Sequence, residues 1–315
     1  MIRDLGSSRG RESEDVVHHL RVATFLNSQI VMAGSQADVD VKGFPHTVGE
    51  YNFLVVWSLC LPSGAFERLK VGPWSRPRFR AEMADPSDPD DMPSVYKLLM
   101  NQQEKGVKWT KPEIGAEMAG QILDAIETTS SALAFIFCGL AKNQSLLDSL
   151  YRELEEFSNT TLENAKLLDA CVTEGLRFRP PVALTGSRVA PREGLDVLGC
   201  YIPEGTVVIT QFLSMSRRRP DLFPNLGVFD PTRWLDEDRL QERRKLTAPF
   251  GLGAQRCPGG NMAIDQMRLI LAAVIRSFTI EVAPETTPES MTPFEANGFR
   301  SRYDECCLLF QPREQ

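Results

Sequence analysis

A chain of 315 residues with 42% hydrophobic and 24% charged residues has the composition of a globular protein with a sizeable core, which excludes wholesale disorder. A net charge of -7 excludes a general phosphate-binding surface, because nucleic-acid binding leaves a basic imprint on a domain. The seven cysteines, Cys60, Cys138, Cys171, Cys200, Cys257, Cys306 and Cys307, form no CxxC pair and fit neither a zinc site nor a disulfide framework, so a reducing compartment is expected.

In chain order, the charged first twenty residues lack an apolar leader segment. The apolar run at 53–61 falls far short of the roughly 20 residues that span a bilayer, so a soluble or peripheral chain on the cytoplasmic side, without a membrane anchor, is expected. The periodicity predicts an amphipathic helix over Val16–Ala33 and an apolar stretch at 51–61, and the acidic, proline-punctuated run 85–93 reads as an exposed loop. Thr110-Lys-Pro-Glu113 is a capping-box pattern with proline in the first turn, and it predicts a long helix to about Ala141.

Two further helices are predicted at 145–157 and 163–177, the second ended by Pro180-Pro181. The β-branched residues of 195–210, broken by Gly199, Pro203 and Gly205, predict a small hairpin region. Residues 217–256, rich in Pro, Gly and Arg, are expected to be mostly irregular. A last helix over Gly260–Ser277 precedes strand-like pieces at Phe278–Val282 and 307–311. The fold class is mainly α with a minor β part. Residues 1–110 read as a weakly patterned helical N-terminal segment and 111–315 as the core of one domain.

The phrase Phe250-Gly-Leu-Gly-Ala-Gln-Arg-Cys257-Pro-Gly-Gly260 delivers a cysteine just before a helix, whose N-terminus stabilises a thiolate. Glycines at 251, 253 and 259 let the backbone approach a flat cofactor where a Cβ would collide. A lone cysteine in a turn is ordinarily structural; the phenylalanine and glycines around this one turn the reading toward a ligand.

This phrase resembles the haem loop of the cytochrome P450 family, Phe-x-x-Gly-x-Arg/His-x-Cys-x-Gly, with matches at Phe250, Gly253, Cys257 and Gly259. The resemblance implies haem b as cofactor, with Cys257 as axial ligand to its iron. Gln255 departs from the pattern, standing where the family has a basic residue at a haem propionate, with Arg256 one place later. An amide still donates a hydrogen bond there, without the strength a charge adds. Arg188, in Gly186-Ser-Arg-Val-Ala-Pro191, falls where the family sets an arginine against a propionate.

Glu174-Gly-Leu-Arg177 places an acid and a base on one helix face, a common surface pattern when taken alone. With the prolines that follow, and with Arg233 in Phe229-Asp-Pro-Thr-Arg-Trp234, it is similar to the family's Glu-x-x-Arg and Phe-x-Pro-x-Arg phrases. The resemblance implies a structural triad of Glu174, Arg177 and Arg233 that holds the irregular segment leading to the cysteine loop. Asp124-Ala-Ile-Glu127-Thr128-Thr129 looks like the family's oxygen-activation segment; a polar stripe on an amphipathic helix is the alternative. The resemblance implies that Thr128 hydrogen-bonds to oxygen and Glu127 relays protons. Trp74-Ser-Arg-Pro-Arg78 fits a propionate motif of the family but lies too close to Glu127 in the chain and is read as a chance match.

The resemblance covers about residues 110–315 and implies the C-terminal portion of the P450 fold. It implies a haem-thiolate monooxygenase that takes electrons from NADPH through a partner reductase and inserts one oxygen atom of O2 into an apolar small molecule. The phrasing is similar to filamentous-fungal members, which implies secondary-metabolite biosynthesis. The chain is shorter than the family norm, so the anchor, early strands and haem-covering helices of the N-terminal side are expected to be missing. Two rivals stay open. A reductase-independent isomerase or dehydratase is opposed by Thr128 with Glu127, and a truncated non-catalytic relative is favoured by the short N-terminal part.

Overall fold

In the computed structural model, which describes residues 12–33, 94–104, 109–183, 186–295 and 298–313, helices α1 (Val16–Ala33) and α2 (Val95–Glu104) precede the longest helix, α3 (Lys111–Ala141). The apolar stretch 51–61, the loop 85–93 and the Trp74 phrase lie outside the described residues. Helix α1 has the bounds its periodicity predicts. Helix α2 was not expected; at 10 residues it is short, and Ser94 caps it by accepting from Lys97 N–H at 3.3 Å. Helix α3 starts at the predicted reciprocal cap: the Thr110 hydroxyl accepts from Glu113 N–H, and the Glu113 carboxylate accepts from Thr110 N–H at 2.7 Å.

By length and apolarity, residues 113–141 could cross a membrane, but 67% of the most apolar window is buried against other elements, as in a core helix. Helix α4 (Gln144–Glu155) is capped by Asn143 and turns Leu146, Leu147, Leu150 and Leu154 inward. Helix α5 (Lys166–Phe178) begins three residues later than predicted, after a 3-10 turn at Leu162–Asn164. The boundary is set from a distance: the Glu153 carboxylate of α4 accepts from Leu167 N–H at 2.8 Å and Leu168 N–H at 3.0 Å.

Strand β1 (Glu14–Asp15) precedes α1, and four short strands follow α5: β2 (Arg188–Val189), β3 (Leu195–Val197), β4 (Cys200–Ile202) and β5 (Val207–Val208). The predicted hairpin is β3–β4, closed by Leu198 at φ 54° and Gly199 at φ 81°, the left-handed pair that a tight hairpin turn requires. β5 pairs antiparallel with β2.

One short helix, α6 (Phe212–Arg217), ends where the region expected to be irregular begins, and a second, α7 (Leu240–Lys245), lies inside it. Arginine accounts for the second: buried Arg243 donates to the carbonyls of Leu222, Arg233, Asp236 and Asp238, so the residue type that read as solvated coil knits the segment together.

Helix α8 (Gly260–Ser277) and β6 (Phe278–Val282) have the predicted bounds, and the last strand, β9 (Cys307–Pro312), extends one residue past its prediction. β9 is central in a sheet of order β1-β9-β6. β1 and the hairpin β7 (Pro293–Glu295) with β8 (Phe299–Ser301) were not expected, being too short for alternation to register. The main core gathers residues 132–141 of α3, the leucines of α4, Leu168, Cys171 and Val172 of α5, Met267, Leu271 and Ile275 of α8, and Val16, Val17 and Leu20 of α1. Gly175 lets α5 approach α3 closely, since a Cβ there would lie 2.2 Å from Ile136 Cγ1.

Candidate functional site

Three groups of predicted residues converge, each on its own scaffold. The first is the cysteine loop. Gly251 at φ 73° and Gly253 at φ 76° bend the chain into a 3-10 turn, Gly253–Gln255, and Cys257 N–H closes the loop on the Phe250 carbonyl at 2.8 Å. Helix α8 begins three residues after the cysteine, so the exposed Cys257 thiol stands at the positive end of a helix dipole. A Cβ at Gly259 would come within 3.9 Å of Cys257 Sγ, one at Gly260 would press on the Phe250 ring at 3.2 Å, and one at Gly253 would meet nothing within 4 Å. The loop thus presents its sulfur beside open space, while Phe250 packs behind it against the core. Gln255 and Arg256 are exposed. Arg188 is exposed as well, its Nη1 donating to the carbonyls of Gly186 at 2.8 Å and Ser187 at 3.1 Å.

The second group surrounds Glu174, which is fully buried. Its Oε1 accepts from Arg177 Nη2 at 2.7 Å, Arg233 Nε at 3.1 Å and Asp230 N–H at 3.0 Å; its Oε2 accepts from Arg177 Nε at 2.8 Å and Trp234 Nε1 at 2.9 Å. A buried carboxylate is tolerable when its lone pairs are so filled. Arg177 also reaches the Val228 carbonyl, and Arg233 that of Pro224, so the cluster ties the segment before the cysteine loop to α5. The sequence pointed to Glu174, Arg177 and Arg233 but missed Trp234 and the Asp230 amide. Trp234 had a signal, since a buried indole N–H needs an acceptor and this one adjoins Arg233.

The third group is at the middle of α3. The Thr128 hydroxyl donates to the Asp124 carbonyl at 2.6 Å. Glu127 Oε2 accepts from Arg21 Nη2 at 3.0 Å, and Arg21 also forks onto Asp304 at 2.9 and 2.8 Å. Burial opposes the Arg21 charge, but Glu127 and Asp304 outweigh it and raise the pKa of the guanidinium above its ordinary value. Reading the sequence missed Arg21, although it is the one residue among Asp, Glu, Lys and Arg in the 18 residues of α1. Glu127, Thr128 and Ser131 line a cleft with Pro181, Gly298, Phe299 and Arg300, and two bonds hold its wall: Ser131 donates to the Phe299 carbonyl, and Phe299 N–H to the Pro181 carbonyl at 2.7 Å.

Among the described residues, no hydrogen bond or ion pair joins the cysteine loop or Arg188 to Glu127 or Thr128. Nor does any group of three or more His, Cys, Asp or Glu there suit a metal ion. The donor set is one cysteine sulfur, which would suit an iron whose remaining ligands come with a cofactor.

The family model described as Cytochrome P450 matches residues 78–304. Similar curated proteins include the cytochrome P450 monooxygenase atr2 of Stereocaulon alpinum, 31% identical over 204 residues, 62% of this chain and 40% of that protein. The cytochrome P450 monooxygenase FUM2 of Gibberella moniliformis is 34% identical over 204 residues, 62% of this chain and 43% of that protein. The fusicoccadiene 8-ol C-16-hydroxylase of Phomopsis amygdali is 30% identical over 215 residues, 66% of this chain and 41% of that protein. The chain spans about two fifths of the length of these relatives. The family match takes in more than half of the sequence and includes Glu127, Thr128, Glu174, Arg177, Arg233 and Cys257: the chain belongs to the cytochrome P450 family.

Proposed function

We propose that this chain carries the haem-thiolate centre of a monooxygenase, in which Cys257 would ligate the iron of haem b. In this reading the whole protein inserts one oxygen atom of O2 into an apolar small molecule in a secondary-metabolite pathway, drawing electrons from NADPH through a partner reductase. The observation that carries the reading is the exposed Cys257 thiol, presented by a glycine-bent loop at the N-terminus of α8. The residues fit the group: a single exposed cysteine sulfur, open space over Gly253, and a phenylalanine packed behind the loop. When bound, a thiolate-ligated haem supplies the dioxygen chemistry, the sulfur's electron density favouring O–O cleavage.

The protein's residues divide the remaining work. Phe250, Gly253 and Gly259 shape the loop against the haem. Arg188 and Arg256, with Gln255 as a neutral donor, hold the two carboxylates, and Arg188 exchanges its bonds to Gly186 and Ser187 for a stronger charge-assisted one. Thr128 and Glu127 hold and pass protons at the cleft, and Glu174, Arg177 and Arg233 keep the approach to the loop in place. Residues 111–315 act as the haem-binding core, with α1 and α2 packed against it. In this reading the chain is soluble or peripheral on the cytoplasmic side, and α3 is a helix of its core. The fungal relatives support the pathway assignment, and one of them is named a C-16-hydroxylase of fusicoccadiene 8-ol.

The test is the ferrous–CO spectrum of the chain reconstituted with haem. A red-shifted thiolate band is expected, and Cys257→Ser should abolish it. An unaltered band in that variant would remove Cys257 from the site.

A further inference from the structure

Arg21 is only 6% exposed on α1, and a guanidinium so placed costs several kcal/mol unless its charge is met. It is met twice, and unequally. Toward Asp304 it makes a parallel fork, Nη1 to Oδ2 at 2.9 Å and Nη2 to Oδ1 at 2.8 Å. Toward Glu127 it makes one hydrogen bond, Nη2 to Oε2 at 3.0 Å, while Nε stands 2.9 Å from Oε1 in an ionic contact without hydrogen-bond geometry. Glu127 Oε1 is therefore buried and accepts no hydrogen bond, and it belongs to a residue that lines the cleft beside Thr128. Arg300 Nη1 donates to Asp304 Oδ2 at 3.2 Å, completing a row of four alternating charges, Glu127, Arg21, Asp304 and Arg300.

We propose that Arg21 is the positioning residue for Glu127, holding the carboxylate at the cleft wall through both oxygens, Oε2 by a hydrogen bond and Oε1 by an ionic contact. Asp304 tunes that hold by competing for the same guanidinium. The competition follows from geometry: with two carboxylates on one planar fork, the better aligned one draws the donors, and here that is Asp304. The inference rests on the reading of Glu127 as a proton-handling group and adds two residues, from α1 and from the turn after β8, that no motif singled out.

Two measurements separate this proposal from the function on which it rests. The first needs no catalysis: double-mutant cycles in denaturant unfolding of the full chain, with Arg21→Lys against Glu127→Gln and against Asp304→Asn. Coupling is expected in both cycles, the larger with Asp304. Absence of coupling between Arg21 and Glu127 overturns the proposal whatever the protein's activity.

The second measurement is substrate-free NADPH oxidation by the haem-loaded chain with an NADPH–cytochrome P450 reductase. It reads the share of O2 reduced by two electrons and two protons to peroxide rather than by four of each to water, in H2O and in D2O. Arg21→Gln is expected to raise the peroxide share several-fold, with partial rescue in Arg21→Lys, because positioned proton transfer is lost. Asp304→Asn leaves Arg21 to Glu127 alone and is expected to enlarge the solvent isotope effect at unchanged haem content. Wild-type isotope effects and peroxide shares in both Arg21→Gln and Asp304→Asn overturn the proposal. A reconstituted chain without the thiolate ferrous–CO band refutes the haem-thiolate reading instead, and the unfolding cycles then decide for or against Arg21 as the anchor of Glu127.

Discussion

Glu174 and Trp234 stand 60 residues apart in the chain, yet the indole Nε1 donates to Glu174 Oε2 at 2.9 Å in a site closed to solvent. The carboxylate there has five donors, and they are not equivalent. Arg177 supplies two of them along with a full charge, and Trp234 supplies one neutral bond.

Removal of these two residues should therefore differ in kind. Arg177→Ala takes away the bidentate one of two counter-charges and leaves the buried carboxylate to Arg233 alone, at a cost of roughly 3–5 kcal/mol, and is expected to give insoluble or haem-free protein. Trp234→Phe leaves four donors in place and should cost roughly 1–3 kcal/mol with the chain still soluble. Denaturant midpoints order the two, and soluble, haem-replete Arg177→Ala protein would show that the pair acts as a surface bridge.

Gly175 offers a test of packing between α5 and α3. Alanine in place of glycine gains at most about 1 kcal/mol of helix propensity. Its Cβ, however, would lie 2.2 Å from Ile136 Cγ1, and Ile136 is fully buried. Overpacking costs typically about 1–3 kcal/mol, so Gly175→Ala should be net destabilising and Ile136→Val should partly restore it. A stabilised Gly175→Ala chain would mean that the two helices are free to separate.

The cap of α3 carries a pH dependence with a definite sign. The Thr110 N–H and then the Thr110 hydroxyl bond to the Glu113 carboxylate and hold its pKa below the ordinary value. A depressed folded-state pKa contributes stability that is present above the unfolded pKa and is lost as pH falls through the folded one. The stability difference between wild type and Glu113→Ala should be largest near neutral pH and shrink on acidification. Thr110→Ala should lower stability by roughly 1 kcal/mol at neutral pH. Thermal unfolding over a pH series checks both, and a difference that widens in acid would contradict the assignment.

Gln255 is exposed beside Arg256 where it can donate only a neutral hydrogen bond. Charge-assisted bonds are roughly twice as strong as neutral ones, so Gln255→Arg should slow haem transfer to an excess of apo-globin acceptor. Equal transfer rates in wild type and variant would place residue 255 away from the haem carboxylates.

What the sequence by itself determined was whatever depends on neighbours within a few turns. The reciprocal cap of Thr110 with Glu113, the bounds of α1 and α8, the β3–β4 hairpin and the pairing of Glu174 with Arg177 all rest on contacts between residues close in the chain, and all were legible. The family phrases around Cys257 were legible as spacing, because a loop bent by Gly251 and Gly253 needs glycine at those places and no distant partner. Tertiary structure alone decided what crosses the chain. Glu153 sets the start of α5 from another helix, Arg243 gathers four carbonyls of a segment that read as coil, and Arg21 reaches Glu127 across 106 residues and Asp304 across 283. No local pattern announces such contacts, since a long cationic side chain suits solvent and a buried acid equally well until packing removes the water.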